Sequence, residues 1–530
     1  MTIAAIALSL AVLGQPAQQA NLQWWYAPAT EKVFPESQPT EAGQEARVYC
    51  AWGEYEAVQL CLRSDADLPG LRVVVKPKPG FRALPKSMFH FFEVDYVPTP
   101  KDPVHKWYPD PLAPLGPNHR VFDVKADQTK EVWCQVHIDD DPPAPGEYKM
   151  DVQVWDTEPP HDTGIAHHLL LSAPVSVWVW PFHMPKANHL RTGFGTWTSM
   201  MAPKFDVHLQ SRQLRALKTQ VYYQLLDHRI CANELPFDVF DQRAEHLMGT
   251  PNVNGYWLPM SLVDKPGTMR IKWERVERRG VARKGYVLPW DEATTRGAYA
   301  QFKQRAATVQ EFAPGLKTLG TFNGPPDWAP EKTPIDELKG FVDLWCLITP
   351  MMVNSTTAAE VRQRQAMGEE GWCYVCCSPR GGNWANYLIN MSALQHRVLT
   401  WQIYKAGLTG LLYWGVNYWE MTDDPWKDVA TVKWISDDIY GDGSLVYPGR
   451  PVGVFGPVSS IRLECIRDSL EDYEYLVMAQ RILGKEAAMD AVGHVTTSWT
   501  KFVTDPQEFE SVRKDLGFAL STAVSPCSVP

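Results

Sequence analysis

The chain has few of the features that mark several large protein classes. Beyond one short N-terminal run, no apolar stretch approaches the roughly 20 residues a helix needs to cross a bilayer, so no membrane span is expected. No cluster of Lys and Arg is present, and the formal net charge is −10, which gives a polyanion nothing to bind; nucleic acid is not an expected partner. Ten cysteines in 530 residues are too few and too scattered for a disulfide-dependent scaffold. Cys50 and Cys61 lie in successive apolar runs, and either pair across a hairpin or stay free. Cys373, Cys376 and Cys377 lack a second cysteine or histidine pair at zinc-site spacing, and on a strand they point to opposite faces, so no metal is expected. No Gly-rich dinucleotide loop is found either, and no cofactor is expected.

What is present is a foldable chain rich in flat aromatic rings. Hydrophobic residues make up 45% and charged residues 21%, well away from the profile of disorder. The 22 tryptophans offer surfaces on which sugar rings stack, although large cores also consume Trp. Ile3 to Leu13 has the length of a signal-peptide core and is followed by small and polar residues through Ala20, so residues 1–20 are read as an export signal.

From 21 to 185, short apolar runs separated by Pro, Gly and Asp predict an antiparallel β-sandwich. The alternating run Ala173 to Trp180 is its expected last strand, ending at Pro181 before a linker that runs to Asn188. From 186 to 484 the rhythm changes to strand followed by helix, which predicts a (β/α)8 barrel. Six strands are clear, at 190–197, 285–290, 316–322, 342–348, 372–377 and 410–419, and two more are inferred between Ile230 and Ser261. A long helix through His396 is expected after the strand at 372–377, and extra helices over 485–530 are expected to pack on the outside of the barrel.

In such a barrel, reactive groups project from the C-terminal ends of strands. The apolar strand beginning at Gly285 runs into Asp291-Glu292, two adjacent carboxylates whose pKa values a shared cleft could drive apart. The bland alternative makes Asp291 the N-cap of the next helix. Asp336-Glu337, a second Asp-Glu pair, follows Thr333-Pro334 and is explained by capping alone. The run Gly410 to Trp419 places Asn417 and Trp419 on one face and Trp414 on the other. Asn417 is either a hydrogen-bonding group in a sugar pocket or a polar residue satisfied by a neighbouring loop. Tyr374 and Arg380, near and after the end of the strand at 372–377, are further candidates for substrate contact. His228-Arg229 is read as a helix C-terminal cap in preference to a cleft pair.

Several phrases in order resemble one family: Asp291-Glu292 after its strand, Trp372 to Arg380, Gly410 to Trp414, Gly441 to Gly449 and Ser460 to Tyr475. They look like the bacterial domain of unknown function 4091, which is similar to glycoside hydrolase family 123, the β-N-acetylgalactosaminidases. The resemblance implies a glycan substrate and a retaining mechanism in which the sugar's own acetamido oxygen attacks the anomeric carbon. Asp291 would then orient the acetamide, and Glu292 would protonate the leaving oxygen and later activate water. Two other readings stay open at this point. One is a glycosidase pairing Glu292 with a loop carboxylate such as Glu420, Asp423 or Asp424; the other is a non-catalytic carbohydrate-binding protein.

Overall fold

The computed structural model describes residues 21–40, 43–115, 121–139, 143–156 and 168–524. The export signal read at 1–20 lies outside them.

The N-terminal part is two packed sheets. Gly146–Asp156 shows why: Tyr148, Met150, Val152 and Val154 alternate into the core while their neighbours face outward. One sheet contains Leu22–Pro28, Tyr55–Ser64, Thr129–His137, Phe89–Pro98 and Trp107–Pro114 in that order, all antiparallel. The other runs Ala46–Trp52, Leu169–His183, Gly146–Asp156, Leu68–Pro77 and Phe122–Val124, and its first pair is parallel. The expected last strand does not stop at Pro181. It continues to His183, with Pro181 inside the register shift between Val179 and His183, where a missing N–H breaks no ladder bond. Cys50 and Cys61 do not pair: both are free and buried, because Ala46–Trp52 and Tyr55–Ser64 belong to different sheets and pack into different clusters.

The second part is a barrel-like parallel sheet. Its order is Arg191–Phe194, Gly410–Tyr413, Glu370–Tyr374, Leu344–Ile348, Lys317–Phe322, Gly285–Val287 and Tyr256–Trp257. Its two edges are joined through Cys231 to Asn233, which exchange backbone hydrogen bonds with Phe194 on one side and Trp257 on the other. The interior is filled by Tyr286, Leu319, Leu344, Cys346, Trp372 and Leu412. Two glycines make room for the largest of these. A Cβ on Gly410 would lie 2.1 Å from the Trp372 ring, and one on Gly193 would lie 2.6 Å from the Tyr286 hydroxyl. Glu370 closes the N-terminal end, bonded to Arg191 at 2.7 Å and Lys317 at 2.5 Å, while Glu369 is held by Trp345 and Arg364.

The long helix expected through His396 is replaced by an irregular segment from 375 to 392. Pro379, Gly381 and Gly382 cannot sustain a helix, and helices form only at Ala393–Arg397, behind a Ser392/Gln395 capping box, and at Leu399–Ala406. Chain segments near the end of the barrel return to the sandwich, since Pro457–Ser460 pairs with Trp107–Pro114 and Tyr447–Pro448 with Pro457–Ser460.

Helix Ile461–Ile482 joins the two parts. It starts on Ser460, whose hydroxyl accepts from the Leu463 N–H at 3.1 Å, and it is buried on every face over most of its length. Its charges are matched by partners from both sides: Arg462 with Asp110, Glu464 with His228, and Asp472 with Arg397 and Arg513. Arg513 belongs to Pro506–Val524, which therefore packs against the sandwich as well as the central helix, beyond the barrel exterior expected for it. It also binds Glu54, and Phe518 of the same helix lies edge-on against Trp180.

Candidate active site

The strand Gly285–Val287 is short, and the chain leaves it through Leu288-Pro289-Trp290 to reach Asp291. Helix Arg296–Phe312 begins later, capped by Thr295, whose hydroxyl accepts from the Ala298 N–H at 3.2 Å. Capping therefore does not account for Asp291-Glu292, whereas Thr333 and Asp336 form the expected capping box around Asp336-Glu337.

The ends of two other strands of the sheet hold the pair. The Thr321 hydroxyl donates to Asp291 Oδ1 at 2.7 Å and accepts the Glu292 N–H at 3.0 Å. The Asn323 side-chain amide donates to Glu292 Oε2 at 2.9 Å, and the Tyr374 hydroxyl donates to Glu292 Oε1. Glu292 sits at φ 44°, a left-handed conformation that only a well-determined turn keeps for a residue with a side chain. Partial burial raises its carboxyl pKa, and the Asp291 charge adds to the rise, while the bonds from Tyr374 and Asn323 oppose it. Among the described residues no cation pairs with either carboxylate. Asp291 is exposed and Glu292 half-buried, which leaves the pair open to a ligand.

The other predicted residues separate into groups. Tyr374 touches Glu292 directly. Trp414, half-buried at the end of Gly410–Tyr413, is fixed through its indole N–H to Asp442 Oδ1 at 3.0 Å, and a Cβ on Gly443 would lie 2.2 Å from its ring. Arg380 is exposed and bonded to Asp438 at 2.9 Å, so it ties two loops together. Asn417 and Trp419 are corrections. Both are buried, Asn417 exchanging bonds with the Trp197 backbone at 2.8 and 3.0 Å and Trp419 donating to Ser444 at 3.0 Å. The ladder ends at Tyr413, so the alternation assumed through Trp419 stops before it reaches them. His228 caps helix Arg212–Asp227 and also meets Glu464 at 2.8 Å, which places it with Arg229 at the junction of the two parts.

Sequence reasoning missed Thr321, Asn323 and Asp442. The first two are uncharged residues at and just past a strand end, a position that could have drawn attention to them. Asp442 is buried between glycines, where it accepts from Tyr413 and Trp414, and burial pushes its pKa up to about 6. Cys376 and Cys377 remain thiols with sulfurs 3.7 Å apart, and no group of three or more metal-capable side chains forms among the described residues.

Comparison with known proteins bears on the same region. Residues 301–479 match the sequence model of the glycoside hydrolase 123 catalytic domain, so this part of the chain is similar to glycoside hydrolases of that family. The match takes in Thr321, Asn323, Tyr374, Trp414 and Asp442 and begins just after Asp291-Glu292. Among solved structures, a family 123 glycoside hydrolase from Clostridium perfringens, described in work on glycolipid glycan hydrolysis, superposes with a TM-score of 0.66. That alignment has 10% identity and covers 95% of this chain and 98% of that one. A putative β-galactosidase from Bacteroides fragilis aligns over 73% of this chain and 55% of its own, at 8% identity and a TM-score of 0.26. No curated protein matches the sequence.

Proposed function

We propose that this chain is an exported glycoside hydrolase on a (β/α)8 frame that removes terminal 2-acetamido sugars, β-N-acetylgalactosaminides first among them, by a retaining, substrate-assisted mechanism. The observation that carries the reading is the open, cation-free pair Asp291-Glu292, held by Thr321, Asn323 and Tyr374. The family match over 301–479 supports the hydrolase class, and the apolar run Ile3 to Leu13 supports export.

The roles follow from the surroundings. A carboxyl whose pKa is raised keeps its proton to higher pH than an ordinary carboxyl and can deliver it to a leaving oxygen, which suits Glu292 to the general acid. Asp291, bonded to Thr321 at 2.7 Å, is fixed beside it to orient the acetamide N–H while the acetamide oxygen attacks the anomeric carbon. The glycosidic bond breaks as that C–O bond forms. Glu292, now ionised, takes a proton from water as water opens the cyclic intermediate and restores the retained configuration. Trp414, locked by Asp442 and Gly443, supplies an aromatic surface for the sugar's C–H face.

The loop carboxylates make their bonds elsewhere, and among the described residues none is bonded to Asp291, Glu292 or the residues that hold them, which supports this reading over an ordinary two-carboxylate mechanism. Glu420 faces solvent and is bonded to Tyr418, Asp424 is occupied by the Trp426 N–H and Lys427, and Asp423 is exposed. The test is hydrolysis of aryl β-N-acetylgalactosaminide and β-N-acetylglucosaminide beside the plain β-galactoside. Turnover that requires the acetamide, and that falls about 10²- to 10⁴-fold in Asp291→Asn and in Glu292→Gln, is expected. Equal turnover of the plain galactoside would refute the mechanism.

A further inference from the structure

A run of aromatic rings leads away from Trp414 across the C-terminal face of the barrel. Tyr418 lies 4.9 Å from Trp414, ring centre to ring centre, and both Trp197 and Trp434 meet Tyr418 edge-on at 5.4 and 5.5 Å. Trp197 follows the strand Arg191–Phe194, and Trp414 and Tyr418 follow Gly410–Tyr413, so these rings occupy the same face as Asp291 and Glu292. Tyr374, which donates to Glu292, ends the strand Glu370–Tyr374. That strand pairs with Gly410–Tyr413 through Tyr374 and Leu412, so Trp414 starts the run at the end of the strand next to the one that holds the candidate acid.

Two of these rings are costly to leave in water. Trp434 is 57% exposed and Trp197 38%, yet both are fixed: Trp197 by the Asn417 side chain at its backbone, and Trp434 by its packing on Tyr418. Charged groups edge the same surface. Tyr418 donates to Glu420, Lys433 pairs with Asp428, and Arg380 joins Asp438 in the loop that carries Trp434. Ordered aromatic faces bordered by hydrogen-bonding groups suit an occupant with an apolar face and a polar edge, which describes a pyranose ring.

We infer that Trp197 and Trp434, both packed on the buried ring of Tyr418, form a binding surface for the sugar ring adjacent to the one that is cleaved, so that the preferred substrate is an oligosaccharide. This rests on the proposed glycosidase reading, because it takes the Asp291-Glu292 cleft as the position of the first ring. For an enzyme that removes a terminal residue, the second ring is the leaving group, and binding it raises specificity for the intact glycan over simple glycosides.

The test uses the full chain carrying Glu292→Gln and follows intrinsic tryptophan fluorescence during titration. Three probes are compared: N-acetylgalactosamine, a disaccharide with that sugar β-linked at its non-reducing end, and its octyl glycoside. The disaccharide is expected to bind at least tenfold more tightly than the monosaccharide, and Trp434→Ala is expected to reduce that ratio about tenfold. Trp107→Ala, which removes an equally exposed indole from the sandwich, should leave the ratio intact. Three results would overturn the inference: equal affinity for mono- and disaccharide, a ratio insensitive to Trp434→Ala, or octyl glycoside binding more tightly than the disaccharide, which would assign the surface to a hydrocarbon chain. Hydrolysis is measured separately on the wild type. Failure of turnover there counts against the catalytic reading, and failure of the affinity ratio counts against the second-ring surface.

Discussion

The chain contains adjacent carboxylates at both Asp291-Glu292 and Glu471-Asp472, and the two pairs differ in almost everything except chemistry. Glu471-Asp472 lies in the central helix with both side chains buried, Asp472 between Arg397 and Arg513 and Glu471 facing Arg229. Burial raises the Glu471 pKa well above its ordinary value. Asp472, against the same desolvation, is held low by Arg397 and Arg513. The two pKa values are thus driven apart where no substrate can reach. At Asp291-Glu292 the partners are neutral and the pair meets solvent. Perturbed acidity therefore does not by itself identify the reactive pair; access and the absence of a cation do.

The contrast can be broken from either side. The largest effect is expected from Arg513→Met, which leaves Glu54 without a cation in a buried setting and Asp472 with Arg397 alone; removing one partner of such a pair typically costs about 3–5 kcal/mol. Denaturant unfolding should show that loss, and proteolysis should cut the C-terminal helix first. Thr321→Val acts on the cleft instead. It removes the hydroxyl that holds Asp291 and the Glu292 N–H, so kcat should fall by roughly tenfold to a hundredfold with little change in melting temperature.

Tyr374→Phe sharpens the comparison through pH. The Tyr374 hydroxyl favours ionised Glu292, so removing it raises the pKa of the acid further. Because a general acid works only while protonated, kcat/KM falls as pH rises through that pKa. Its alkaline limb should move to higher pH in the variant. Asp336→Ala is expected to be the mildest change. It dismantles a capping box in a third acidic pair, costs about 1 kcal/mol of stability, and leaves turnover unaltered.

What the sequence revealed, and what it hid, follows the same division. The change from alternating strands to a strand-then-helix rhythm placed Asp291-Glu292 past a strand end, and Thr333-Pro334 explained away Asp336-Glu337. Tyr374 was legible because it closes another strand of the same parallel sheet. Asn417 and Trp419 were misplaced because the apolar pattern runs on past Tyr413, where the strand ends and the backbone turns to bond Gly195 and Gly443 instead. Asp442 was invisible because a carboxylate between two glycines looks like a surface turn. The burial of Ile461–Ile482 was hidden too. Six charged residues from Arg462 to Asp472 suggest a solvated face, and only the sandwich, the barrel and the C-terminal helix together supply their partners.

The most direct measurement sets the two pairs side by side: turnover of the aryl β-N-acetylgalactosaminide and thermal unfolding for Glu292→Gln and Asp472→Asn, each against wild type. Glu292→Gln should lose turnover by about 10²- to 10⁴-fold while melting within a few degrees of wild type. Asp472→Asn should melt far lower yet keep kcat per folded molecule at permissive temperature. Full turnover by Glu292→Gln, or loss of its activity only in step with loss of folding, would contradict the assignment of Asp291-Glu292 as the reactive pair.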